Sequence, residues 1–183
     1  MNKFKKPIII VMMLLLAGSG TLVLLIKSPK EEPILFSSSP NNQDKEKIKK
    51  LIEKECDFLF SERPTDVEIG YSDLDDEGIN EIFGFVLDDL MFGVLNHGKL
   101  FIFKNIDGNL KIIWQRGMFE PAIATSFHKT NGYHDLNMFV RDDWDSHRNR
   151  RETLIWTGKE YEVSKIREVS DKETKIFFHE TYN

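Results

Sequence analysis

Three regimes of apolar spacing divide this chain. Pro7 to Ile26 is an unbroken run of twenty uncharged, mostly apolar residues. Ile48, Leu51, Ile52, Cys56 and Leu59 then recur at helical intervals among lysines and glutamates, as on one buried face of an amphipathic helix. From Val67 onward apolar residues alternate with polar ones, or gather in short runs rich in β-branched and aromatic types, which is strand patterning. A helix rises about 1.5 Å per residue, so roughly 20 residues cross about 30 Å of hydrocarbon. The first regime therefore predicts a transmembrane helix over 7–26. The second predicts a helix from Lys45 to Leu59, capped by Asp44 and ended before Pro64. The third predicts strands at 67–71, 82–87, 100–103, 111–114, 122–127, 136–140, 153–156, 161–166 and 175–178.

Turn chemistry punctuates the strands at Glu77-Gly78, Asp107-Gly108, Asn131-Gly132 and Thr157-Gly158, where glycine supplies the positive φ of tight hairpins. These turns expose a repeat. Gly78-Ile79-Asn80-Glu81-Ile82 aligns with Gly132-Tyr133-His134-Asp135-Leu136, and the hairpin around Gly108 aligns with that around Gly158. Each unit reads as four antiparallel strands, the size of a propeller blade, but two blades are too few to close a ring. The expected architecture is mainly β (α+β): two four-stranded antiparallel units, stacked as a sandwich or as a blade-like pair, with the short helix covering an edge.

The lysines around the apolar run set an address. Lys3, Lys5 and Lys6 precede it; Lys27 and Lys30 follow. The bias predicts a cytoplasmic tail at 1–6, a signal anchor at 7–26, a linker at 27–43 rich in Ser and Pro, and an exported domain at 44–183. Cleavage near Ala17-Gly18-Ser19 is the alternative, which would leave a secreted or periplasmic protein. The apolar stretch from Leu22 to Ile26 favours the uncleaved anchor. Five lysines and no acid precede Glu31, so 20 basic residues face 30 acidic ones beyond it, a net of −10. Nucleic acid is thereby a poor partner, since duplex affinity rests on neutralising phosphates. A single cysteine, Cys56, excludes an intrachain disulfide.

One loop carries recognisable chemistry. Asp73, Asp75 and Glu77 place oxygens at alternate positions, Gly78 permits a sharp turn, the carbonyl of Ile79 can point inward, and Glu81 closes the set. Ca²⁺ takes six to eight such oxygens. An EF-hand would need its bidentate acid at position twelve, which is Gly84. The spacing instead resembles the nine-residue calcium loop of FG-GAP and VCBS-type repeats, Asp-x-Asp-x-Asp-Gly-x-x-Asp before a hydrophobic strand. Asp73, Asp75, Gly78 and Glu81 match it, and Glu77 departs from the usual Asp or Asn. The resemblance implies a structural calcium ion held by Asp73, Asp75, Glu77, Ile79 and Glu81. In the second unit Phe127 and Lys129 stand where acids would be needed. More loosely, the whole plan looks like a group of exported bacterial proteins with no assigned activity.

Other constellations are weaker. His128 and His134 flank the Asn131-Gly132 turn but lack two further zinc ligands. Asp142, Asp143, Trp144, Asp145 and His147 form a charged loop around an aromatic, suited to partner binding. Nucleophile-elbow, P-loop, dinucleotide and His-Glu-x-x-His patterns are absent from the sequence. The expected function is a membrane-tethered, exported binding module with a protein or glycan partner outside the cytoplasm. The alternatives are an envelope-glycan hydrolase using acids among Asp88, Asp89, Asp142 and Asp143, and an accessory subunit of an envelope complex.

Overall fold

A computed structural model describes residues 31–37, 42–56, 60, 65–87, 98–118, 122–141, 149–170 and 173. The elements are β1 (Glu32–Pro33), α1 (Asn42–Cys56), β2 (Val67–Ser72), β3 (Glu81–Leu87), β4 (Gly98–Ile106), β5 (Asn109–Met118), β6 (Ile123–Thr130), β7 (Tyr133–Arg141), β8 (Asn149–Trp156) and β9 (Tyr161–Val169). They form two antiparallel sheets, ordered β2-β3-β4-β5 and β1-β6-β7-β8-β9. Among the described residues no helix is long and apolar enough to cross a membrane. The expected span 7–26 and the expected strand 175–178 lie outside those residues.

The two meanders carry the repeat seen in the sequence. Gly78, Gly108, Gly132 and Gly158 all have positive φ, between 78° and 98°. Asp107 and Asn131 share it at 54° and 52°, so these two hairpins turn with both central residues left-handed, which matches the right-handed twist of the strands they join. The hairpins β4–β5 and β8–β9 each carry a register shift near the turn, one between Ile102 and Phe103, the other between Thr153 and Leu154.

The strands bury alternate side chains between the sheets. Phe83, Phe85, Leu100, Ile102 and Trp114 from one sheet meet Ile123, Leu136, Met138, Leu154 and Trp156 from the other in one buried cluster. The opposite face of the four-stranded sheet receives α1, whose Ile48 and Ile52 pack with Val67, Ile69, Phe101 and Phe103. The layers thus run helix, four strands, five strands. The helix covers a face where the sequence suggested an edge, because Phe101 and Phe103 offer outward-facing aromatics that only a covering layer can dry. α1 also begins before Asp44, which lies in its first turn, where a carboxylate favours the helix dipole.

The second sheet has five strands where four were expected. Part of the segment expected as a tether supplies the fifth. Glu32 and Pro33 pair with Thr125 and Ala124 of β6, and Ser37 exchanges two backbone hydrogen bonds with Ile69 of β2, at 2.9 and 3.0 Å. Residues 31–37 therefore strap one edge of each sheet to the other, with Ile34 buried between.

Gly70 lets this strap pass. A Cβ there would lie 2.6 Å from Ile34 Cγ2 and 3.0 Å from the Leu35 carbonyl. Gly70→Ala is expected to cost about 1–3 kcal/mol by overpacking. Thermal melts check it, and the loss should shrink in an Ile34→Ala background, since coupled neighbours do not add.

Candidate functional site

The loop from Asp73 to Asn80 joins β2 to β3 and leans across the seam onto the β6–β7 hairpin. Leu74 is its anchor. This side chain is fully buried in the inter-sheet cluster. Its N–H donates to Glu81 Oε2 at 2.8 Å, and its carbonyl accepts from the His134 N–H at 2.6 Å. Gly78 N–H donates to Asp73 Oδ2 at 2.8 Å and Glu77 N–H to Asp75 Oδ1 at 3.3 Å, so the acids first brace their own turn.

A lysine from the neighbouring strand meets these acids. The Lys104 ammonium, on β4, donates to Asp75 Oδ2 at 2.6 Å, Glu81 Oε1 at 2.7 Å and Glu77 Oε1 at 2.8 Å. It lies 5.2 Å from the centroid of the Tyr133 ring, which stacks on Trp156 at 4.6 Å. Burial weakens the lysine's hold on its proton, but the bonds to Asp75, Glu77 and Glu81 outweigh that and raise its pKa. Asp75 is pushed up by burial and pulled further down by Lys104, ending below its ordinary value. Glu81, only 2% exposed, goes the other way: burial wins over its lysine and backbone bonds, and its pKa rises. One cation serves three carboxylates here, and the most buried of them is the least compensated.

Asp73, Asp75, Glu77 and Glu81, the acids expected to ligate a metal, lie on or beside this loop, and Asp75, Glu77 and Glu81 share Lys104. Asp73, Asp75 and Glu81 each offer a carboxylate oxygen, all within 4.8 Å of one another, and Asp73 Oδ1 is buried with no hydrogen-bond partner among the described residues. The Ile79 side chain is exposed. The donor types suit calcium; the ammonium among them does not, because a divalent ion bonding Asp75 and Glu81 would meet Lys104 at the same oxygens. Sequence reasoning missed Lys104. It lies 23 residues beyond Glu81, and only the β3–β4 pairing, Ile82 with Phe103, brings it alongside.

Beside the loop runs a cleft of about 490 Å³ lined by β1, the end of β2, the loop and β6. Asp76, φ 62°, bonds Lys129 Nζ and His134 Nε2 at 2.6 and 2.9 Å, which pins the loop to the second sheet. Lys129 holds its carboxyl below the ordinary range, with His134 adding to this. His134 Nδ1 donates to the Ser126 carbonyl at 2.7 Å, so both ring nitrogens are engaged and the pair with His128 does not form a metal site. β6 bulges here: Thr125 pairs with Leu136 and Lys129 with His134, so three residues oppose one. The bulge turns Phe127 outward, 52% exposed, while Asp135 opposite it is buried with Oδ1 unpartnered among the described residues. The loop Asp142, Asp143, Trp144, Asp145 and His147, and the acids Asp88 and Asp89, lie outside the described residues.

No protein-family model, curated protein or solved structure matches this chain.

Proposed function

We propose that the chain is a membrane-tethered, exported β-sandwich that binds a partner outside the cytoplasm and performs no catalysis of its own. The apolar run at 7–26 would hold it to the membrane. One observation carries the reading: the carboxylate group of the Asp73–Glu81 loop is spent internally, three of its acids on Lys104, while the cleft next to it leaves aromatic and polar side chains open. A general acid or base needs reach to a substrate proton, and Glu81 faces a lysine in the interior instead. The Asp73–Glu81 loop is then a buckle between the sheets, and Lys104 supplies its positive charge.

Calcium is the second reading of the loop. The resemblance to FG-GAP-type loops and the unpartnered Asp73 Oδ1 favour it. It requires Lys104 to swing away.

Incubation of the full chain, in a detergent without a sugar headgroup, with isolated bacterial envelope material tests the binding role. The expected result is co-sedimentation with the envelope and no release of soluble fragments. Fragment release by the purified chain that disappears when Asp88, Asp89, Asp142 and Asp143 are changed to Asn would establish a hydrolase and overturn the proposal.

A further inference from the structure

We propose that the seam cleft is a saccharide site, taking a neutral or amine-bearing pyranose ring of a glycan. This rests on the binding-module reading and names its ligand class. A pyranose has an apolar C–H face and a rim of hydroxyls, so its receptor needs an aromatic surface beside hydrogen-bonding groups. The cleft offers both. Tyr71 and Phe127, 40% and 52% exposed, line it together with Ser72, Asp76, Asn80 and Glu32. Its volume of about 490 Å³ falls within the roughly 300–1,000 Å³ of small-molecule sites.

Phe127 is the decisive residue. Its ring is 52% exposed and is turned outward by a bulge of β6, which leaves a stacking face open beside the cleft's polar groups. Bulges of this kind re-aim side chains next to functional sites and are retained as features. Among the described residues the ring lies tilted against the His128 imidazole, 4.1 Å between centroids, which orients it without covering it. The wall opposite is ordered by Asp76, fixed by Lys129 and His134, so the cleft is preformed.

Charge and backbone chemistry narrow the occupant. Three carboxylates, of Glu32, Asp73 and Asp76, line the cleft against Lys129 and His134 near Asp76, so a uronic acid or phosphate would be repelled. An extended peptide adding to the sheet edge would need backbone donors from β1, and Pro33 has none.

The test is calorimetric titration of the full chain, in the same sugar-free detergent, with three trimers: N-acetylglucosamine (neutral), glucosamine (cationic) and galacturonate (anionic). Oligolysine is a fourth titrant. The expected result is binding of the neutral or the cationic trimer, or both, and none of the galacturonate. Phe127→Ala should weaken binding at least tenfold without moving the melting temperature, because the ring is exposed, and Tyr71→Phe should restore what Tyr71→Ala loses in stacking. The inference is overturned if neither trimer binds the folded protein, if galacturonate binds best, or if Phe127→Ala and Tyr71→Ala bind as well as wild type. Oligolysine binding that needs Phe127 while the sugars fail would overturn the saccharide and leave the binding module standing.

Discussion

Lys104→Met is expected to destabilise the protein by about 3–5 kcal/mol, the cost of leaving buried carboxylates without their cation. For a domain near this size that is a fall in melting temperature on the order of 10 °C. Methionine keeps the length and the apolar stem, so the loss isolates the charge. The pH dependence should shift with it, because Glu81, raised by burial, already favours acid in the wild type while Asp75 opposes it. In the wild type Asp75 is held below its ordinary pKa, net of burial, by Lys104; its contribution is present above the unfolded pKa and is lost as pH falls through the folded one. Lys104, raised by the same contacts, contributes below its unfolded pKa and is lost in alkali. Without the ammonium Asp75 loses the contact that held it down and Glu81 rises further, so the balance moves toward stability that is present in acid and lost as pH rises.

The same variant separates the two cations. Wild type should melt at the same temperature in millimolar calcium and in EDTA. Lys104→Met, with Asp75, Glu77 and Glu81 freed beside Asp73, should gain stability from calcium, up to about 2.7 kcal/mol at a hundred times its Kd. A wild-type melt several degrees higher in calcium, together with a Lys104→Met variant as stable as wild type, would make calcium the loop's ion and Lys104 a bystander.

Local signals carried most of the sheet content into the sequence. Glycine in the turns marked the left-handed positions, and alternation or short apolar runs marked β2 to β9 to within a few residues, while β1 left no signal. The repeat was legible because both units open a strand with Gly-x-x-acid, and both acids, Glu81 and Asp135, are buried. What stayed hidden depends on distant pairing. Residues 31–37 look like a solvated linker, since Glu32, Pro33, Ser37 and their neighbours have no period; only the edges of β2 and β6 give them partners. Lys104 looks like any strand-end lysine, and Phe127 like one more inward aromatic, until a bulge turns it out. The inter-sheet ion pair of Arg116 with buried Glu152 is likewise invisible in a string where the two stand 36 residues apart.

Leu74 is where motif and fold part company most sharply. In the calcium-loop pattern its side chain is a spacer between two aspartates, as the side chain of Ile79 is beyond the glycine. In the fold Leu74 is fully buried among Phe83, Phe85 and Leu136 of the shared core, while Ile79 is 58% exposed. Leu74→Ala should therefore cost about 2–5 kcal/mol through lost burial and a cavity, and Ile79→Ala should stay within about 0.5 kcal/mol of wild type. Chemical denaturation of both variants checks the contrast. The loss at Leu74 should also reach the cleft. Its backbone bonds to Glu81 and His134 depend on the side chain seating the loop, and Asp76 two residues on pins one wall. Amide exchange at Leu74 and His134 should accelerate in Leu74→Ala and hold steady in Ile79→Ala. Equal stability of the two variants would mean that the loop floats on the sheets and that the cleft wall is set elsewhere. The expected asymmetry would instead mean that a residue with no chemistry of its own holds the acids, the lysine and the cleft in one place.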